Sequence, residues 1–332
     1  MIKIKFENLL VSIVVSVVVF FNTISTTMLD RTFFQVKVNF LFLVVLLLGL
    51  RFLYKMRVSY KYLILSILLL LSGVLVYFQT NRLNFLVYSM LLVLLVNVDM
   101  KVVLRNYVVV AGILVVGVFL LSLVGMVPNL QYNRAGVIRN SFGFIYPTDF
   151  ASHCFYLFLA ISYLLKDKFI WTRSLFGVLL SAFIIKYCDA RLNALSILLA
   201  TVIFIYFYYS NGKKIKIFAL LPYSAVVFAS VVTYLSYKFS WSNPFLVSVN
   251  KLITGRLALG RNAFDTFGVH LFGTRNVQFI GSGGKTESVI GYNYVDSSYV
   301  QMLFTYGIVP VVLLIIIYVV ASRKQYKDGQ YL

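Results

Sequence analysis

The chain has 332 residues, of which 61% are hydrophobic and 12% charged, with a mean hydropathy of +0.91. So few polar groups cannot cover a water-soluble globule of this size, which excludes a soluble enzyme and leaves an all-α polytopic membrane protein. The formal net charge of +20 would suit a nucleic-acid ligand, so the placement of that charge has to decide between nucleic acid and membrane.

Apolar runs bounded by charge predict about ten transmembrane helices in a single integral domain, 1–332: residues 9–29, 34–54, 60–80, 83–100, 107–127, 149–165, 169–188, 191–211, 216–236 and 297–321. No small-residue cleavage site follows the first run, which therefore reads as a retained span. Lys3, Lys5, Arg51, Lys55, Arg57, Lys61, Lys101, Arg105, Lys166, Lys168, Arg173, Lys213, Lys214, Lys216, Arg323, Lys324 and Lys327 fall on one side of these spans. The short loops of the other side hold fewer, namely Arg31, Lys37, Arg82, Arg134, Arg139, Lys186 and Arg191. Excess positive charge marks the cytoplasmic side, so both termini are expected inside, and the basic residues meet anionic lipid rather than nucleic acid.

In chain order, the first five spans say little about function. Runs such as 40–50 and 63–71 contain no ionisable group, and a charge at the bilayer centre would cost ~3 kcal/mol. Tyr54, Tyr60, Tyr62, Tyr77 and Phe78 at their ends suit the membrane interface. There is no repeat of fixed period and no matched pair of Gly/Pro-broken helices, which argues against a secondary transporter.

The first informative outer loop, 128–149, places Arg134 and Arg139 among Asn, Ser and Tyr. Two readings stand: arginines snorkelling from a solvated loop, or guanidinium forks that capture an anion. Pro147 reads as a helix start, with Asp149 at the positive end of the sixth span and His153 as a hydrogen-bonding group inside it. Cys154 and Cys188 lie in or beside apolar runs and read as inert thiols, with no metal site. The next outer crossing packs Lys186, Asp189 and Arg191 between two spans. Asp189 and Arg191 either pair with each other, or Arg191 supplies charge to a substrate phosphate.

Residues 238–296 form the one long polar interval, with Arg256, Arg261, Asp265, His270, Arg275, Lys285, Glu287 and Asp296. Leu257, Gly260, Phe264, Phe267 and Leu271 share one face, which predicts an amphipathic helix along the outer leaflet before the last span. Glycines 281, 283 and 284 give a permissive turn. Asp296 is either an N-cap of the last span or a chemical group, and His270 is either a packed loop histidine or a catalytic one. Tyr292, Tyr294 and Tyr299 are either belt residues or platforms for sugar rings.

Several of these residues carry a resemblance. Thr254-Gly255-Arg256-Leu257, Asn262-Ala263, Leu271-Phe272-Gly273, the run Tyr294 to Gln301 and Tyr306-Gly307-Ile308 resemble the Wzy-type repeat-unit polymerases of streptococcal and lactic-acid-bacterial capsules and exopolysaccharides. Arg139 to Phe144 before a span, and Asp189-Ala-Arg191 before an outer-facing helix, also fit that polymerase and ligase-like superfamily. The likeness covers the span order and the second half of the chain; the first five spans match in hydropathy only.

The resemblance implies polymerisation of undecaprenyl-diphosphate-linked oligosaccharide repeat units on the outer face of a bacterial cytoplasmic membrane. Such a membrane glycosyltransferase needs neither metal nor cofactor, because the lipid diphosphate is the leaving group. It implies Arg139, Arg191 and Arg256 on the phosphates with Arg261 as a fourth. Asp296 is then the base or the group that orients it, with His270 second, and Tyr292, Tyr294 and Tyr299 meet the glycan. Related ligases carry a His-Asn pair where Asp296-Ser297 stands here, which favours a polymerase. A ligase-like transferase, a polysaccharide flippase or exporter, and a non-enzymatic membrane sensor are the alternatives. Membrane lipids and, laterally, a flippase, a chain-length regulator or an attachment enzyme are the expected partners.

Overall fold

The computed structural model describes residues 6–29, 60–96, 98–134, 136–166, 168–210, 219–281 and 291–327. These form twelve helices and one hairpin: α1 Phe6–Ile24, α2 Tyr60–Thr80, α3 Asn84–Leu94, α4 Met100–Leu123, β1 Gln131–Arg134, β2 Val137–Asn140, α5 Pro147–Leu165, α6 Ile170–Cys188, α7 Arg191–Tyr209, α8 Leu221–Lys238, α9 Pro244–Leu252, α10 Arg256–Phe267, α11 Ser298–Tyr306 and α12 Ile308–Lys327. Six helices, α2, α4, α5, α6, α7 and α12, are long and apolar enough to cross a bilayer, while α1 and α3 hold shorter apolar stretches. The protein is a helical membrane protein. The expected span 34–54 with Lys37, Arg31, the basic residues at 3–5, 51–57 and 213–216, and the segment 282–290 with Lys285 and Glu287 lie outside the described residues.

The helix ends sort onto two faces. The end of α1 pairs with the turn after β2, where the Met28 N–H donates to the Gly143 carbonyl and that of Ile145 to Thr26. The end of α2 is tied to the long loop, where the Arg275 Nε donates to the Gln79 carbonyl at 3.0 Å and Arg82 donates to that of Val277. Thus the ends of α1, α2, α4, α6 and α8, the starts of α3, α5 and α7, and the interval 239–297 share one face, the loop face. The helix of α3 is only 11 residues, about 16 Å, so the chain completes its return to Met100 past the non-helical residues 95, 96, 98 and 99. There Asp99 caps α4 by accepting from the Lys101 N–H at 2.9 Å.

The main core joins α4, α5, α6 and α7 with the segment after β2. Phe142, Phe144, Phe150 and Ile184 are buried in it, and Phe119 stacks on Phe150 at 5.7 Å. Close approach of α6 and α7 depends on Gly177, where a Cβ would sit 2.5 Å from Thr201 Oγ1. Polar bridges fix the helices laterally: Asn193 Nδ2 donates to Ser152, and Thr26 Oγ1 meets His153 Nε2 at 2.9 Å. At the opposite face Arg173 is buried, and its Nη1 donates to the Ser162 and Lys166 carbonyls at 3.0 and 2.7 Å. It satisfies the carbonyl end of α5, a structural task beyond the topological one its charge suggests.

The second body packs α8, α10, α11 and α12 beside α2 and α3. Here the structure departs from the expected leaflet-bound helix. The α10 residues Leu257 and Ala263 are buried, Gly260 lies against Ser236 of α8, and the Phe264 ring meets Phe304 of α11 at 5.0 Å. The apolar stripe is covered by protein, so periodicity correctly gave a helix but the neighbour is α8 and α11 instead of lipid. The start of α10 is capped from a distance, because the buried Asn250 Oδ1 accepts from the Leu257 and Ala258 N–H groups at 3.0 and 3.1 Å.

The expected continuous last span is broken at Gly307, whose φ is +93°. Residues 270–274 insert there. The Ile308 and Val309 N–H groups donate to the carbonyls of His270 and Leu271, and Thr274 N–H donates to that of Phe304. Every group named is one that a helix end leaves orphaned, so the insertion completes the backbone pairing that the break opens.

Candidate functional site

Two groups of charged side chains and a set of tyrosines occupy the loop face. The first group is built on the hairpin and on the α6–α7 junction. The Arg139 Nε donates to the Cys188 carbonyl at 3.0 Å and Asn140 Nδ2 to that of Tyr187 at 3.3 Å, which fixes β2 on the end of α6. Asp189 follows in a left-handed conformation at φ 45°, buried, with Arg191 Nε donating to its Oδ1 at 2.8 Å. Arg134 Nη1 approaches its Oδ2 at 3.8 Å, a charge contact too long for a hydrogen bond, and that oxygen is an unused buried acceptor.

Three guanidinium groups therefore surround one carboxylate. Burial first, and then the Arg134 charge, lower the pKa of Arg139, with Asp189 opposing. The remaining excess of positive charge, with the Arg139 fork beyond Nε given no hydrogen bond among the described residues, is the chemistry of an anion site. Of the two sequence readings of Asp189 and Arg191, the pairing is observed, and it leaves the Arg191 side chain 74% exposed and able to contact a ligand.

The second group is Arg256 and Asp296, whose Nε and Oδ2 are 3.3 Å apart. Arg256 begins α10, so its position follows from the Gly255 turn at φ 85° and the Asn250 cap. Asp296 does not act as the N-cap: Ser297 occupies that place without a side-chain cap bond, and the Asp296 carboxylate turns to Arg256.

Tyrosines lie between the groups. Tyr132, opposite Arg139 in the hairpin register, has its ring centroid 5.9 Å from that of Tyr146. A Cβ on Gly281 would stand 3.2 Å from the Tyr146 hydroxyl and 3.3 Å from the Tyr294 ring, so the absence of a side chain there lets the loop close on both. The pKa of Tyr292 is raised, by burial first and then by Asp296, Tyr146 and Tyr294, with Arg256 opposing. Tyr292 thus stands in the field of both the Arg256–Asp296 pair and the hairpin-side tyrosine, as a neutral donor. Among the described residues no ion pair or hydrogen bond links Arg139 directly to Arg256.

Other expected site residues lie elsewhere. Arg261 is held bidentate by Asp265, at 2.8 and 3.0 Å, while its Nη1 donates to the Tyr237 carbonyl at 2.6 Å. Its charge is engaged on the far side of α10 from Arg256. His270 lends its backbone carbonyl to the Gly307 break; its ring is exposed and, among the described residues, no hydrogen bond or ion pair joins it to Asp296. Tyr299 lines an apolar groove of about 290 Å³ with Phe228, Leu314 and Ile315. Tyr132 and Tyr146 were not singled out by sequence, although the hairpin alternation that sets Tyr132 across from Arg139 is visible in it; Arg134 was read with Arg139 as a candidate for anion capture but was not among the residues the resemblance put on the phosphates. Among the described residues no cluster of three His, Cys, Asp or Glu side chains is placed to hold a metal.

The fold and this face define the class: a helical, membrane-embedded protein with an arginine- and tyrosine-rich surface gathered at one end of its bundle. No protein-family model, no curated protein and no solved structure matches the chain.

Proposed function

We propose that the protein transfers a glycan from one lipid diphosphate carrier to a hydroxyl of a second lipid-linked repeat unit, on the outer face of a bacterial cytoplasmic membrane. The observation that carries this reading is the placement of the Arg134, Arg139 and Arg191 group and the Arg256–Asp296 pair on one face with tyrosines between them. In this reading the diphosphate sits on Arg139 and Arg191, with Arg134, which the resemblance did not assign to the phosphates, as an addition. Arg256 orients Asp296, and Tyr292 and Tyr294 flank the sugars. The acceptor oxygen attacks the anomeric carbon, the bond from that carbon to the diphosphate oxygen breaks, and the acceptor proton passes to Asp296. The guanidinium groups stabilise the charge that grows on the leaving diphosphate. Arg261 is left out of the phosphate site because Asp265 and Tyr237 already hold it.

The test replaces the gene in its own cells by Arg139→Ala, Arg256→Ala or Asp296→Asn and follows the surface glycan by gel. Loss of long glycan, with single lipid-linked units accumulating on the outer leaflet, is the expected result. Unchanged glycan length would sink the proposal, and units trapped on the cytoplasmic side would replace it by a flippase.

A further inference from the structure

We infer that an open basin on the side of α10 away from Arg256 is a separate binding site for an uncharged, polyhydroxylated ligand, the segment of a glycan. The basin has a volume of about 640 Å³ and lies between the end of α8, the turn 239–243 and α10. That size is in the range of small-ligand sites. Arg261, Asn262 and Asp265 follow Arg256 by five, six and nine residues, which at 3.6 residues per turn carries them to the opposite side of the helix. The two sites are therefore roughly 12–18 Å apart, a helix diameter combined with a rise of 1.5 Å per residue.

The chemistry of the lining selects the ligand class. Three charged groups are present: Arg261 and Asp265 hold each other, while Lys238 is exposed and makes a ring contact. Asp265 and the Tyr237 carbonyl take up Arg261, and Lys238 Nζ lies 5.5 Å from the centroid of the Tyr237 ring. What remains for a ligand is the Trp241 indole, 73% exposed and held edge-on by the buried Phe239 at 5.1 Å, with the Asn262 amide and the outer lone pairs of Asp265. An aromatic face beside an amide and a carboxylate suits a sugar ring, whose C–H face covers the indole while its hydroxyls bond to the polar side chains. A phosphate or a lipid headgroup would instead ask for several converging guanidinium groups, which the Arg134, Arg139 and Arg191 group offers, whereas the basin adds to the Arg261–Asp265 pair one further cation, the Lys238 ammonium beside the Tyr237 ring.

Calling the ligand a glycan segment rests on the transferase reading; the preference for uncharged polyols rests on the basin alone. The experiment keeps the two apart. The full-length protein in nanodiscs is passed over a printed panel of neutral, unphosphorylated oligosaccharides, alongside Trp241→Ala, Trp241→Phe, Asn262→Ala and Arg256→Ala. Binding to some members is expected, weakened about three- to tenfold by Trp241→Ala, the range for losing one stacking ring, and retained by Trp241→Phe and Arg256→Ala. Binding that survives both Trp241→Ala and Asn262→Ala, or no binding to any member, overturns the inference. So does quenching of Trp241 by brominated phosphatidylglycerol in the Trp171→Phe protein, which would place lipid on the indole. In cells, Trp241→Ala should shorten the surface glycan where Arg256→Ala abolishes it; loss of binding on the panel without any glycan phenotype from either variant would retain the basin and reject the transferase.

Discussion

Replacing Gly307 by Ala tests whether the break before α12 is a packed junction or a loose bend. A Cβ there would meet the Gly273 nitrogen and the Leu271 oxygen at 2.3 and 2.4 Å, closer than any real contact. The chain has two ways to respond. If the junction holds, Ala is kept at φ +93°, at a cost of ~1–3 kcal/mol, with overpacking adding a similar amount. If residues 270–274 withdraw, three backbone hydrogen bonds are lost, at ~1 kcal/mol each, and their groups are left without partners near the membrane. Both routes converge on about 3 kcal/mol, enough to lower the melting temperature of a chain this long by roughly 5 °C or more. The second route carries its own signature in hydrogen exchange, with fast exchange at Thr274, Ile308 and Val309 while the α6 and α7 amides stay protected. An unchanged melting temperature together with unchanged exchange would refute the packing argument.

Asp189→Asn keeps the shape and tolerates the left-handed backbone, but removes the one negative charge among Arg134, Arg139 and Arg191. Since Arg134 and Arg191 are well exposed, the expected loss at low ionic strength is only about 1–2 kcal/mol. Added sulfate should restore more stability to the variant than it adds to the wild type, and equal sulfate effects in calorimetry would argue against an anion site. Arg173→Ala should destabilise by about 3 kcal/mol, because two charge-assisted hydrogen bonds at the end of α5 disappear, one to the buried Ser162 carbonyl and one to the part-buried Lys166 carbonyl. A thermal shift indistinguishable from wild type would show that water replaces the guanidinium there.

The membrane class was legible because hydrophobic composition and run length are properties of single segments. Pro147 as the start of α5 and the helical period after Leu257 were legible for the same reason. What covers a stripe is a property of two segments, which is why α10 reads as a lipid-bound helix until α8 and α11 are seen against it. Gly307 was quoted as part of a motif, yet nothing local marks it as a break, since the acceptors for Ile308 and Val309 are His270 and Leu271, far back in the chain. The candidate site follows the same division. Arg139, Arg191, Arg256 and Asp296 stand out as charges in an apolar chain, and two pairings among charged residues, Asp189 with Arg191 and Arg256 with Asp296, involve them. The Asp265 partner of Arg261 was not legible, because a guanidinium alone looks the same whether Asp265 holds it or a phosphate does. His270 was named for its ring, while the fold uses its carbonyl.

The ties between the long loop and the turn after α2 also set an order of assembly. Arg275 and Gln79 are 196 residues apart in sequence, and Arg82 and Val277 are 195 apart. At ribosomal speeds of ~5–20 residues per second, the turn at 79–82 emerges about 10–40 s before its partners exist. Helices α2 and α3 must therefore wait in the bilayer with their connecting turn open, and this part of the loop face closes only after residues 275–277 have been made. A product that ends before Arg275 would carry the helices of the main core but keep an unlatched turn at 79–82.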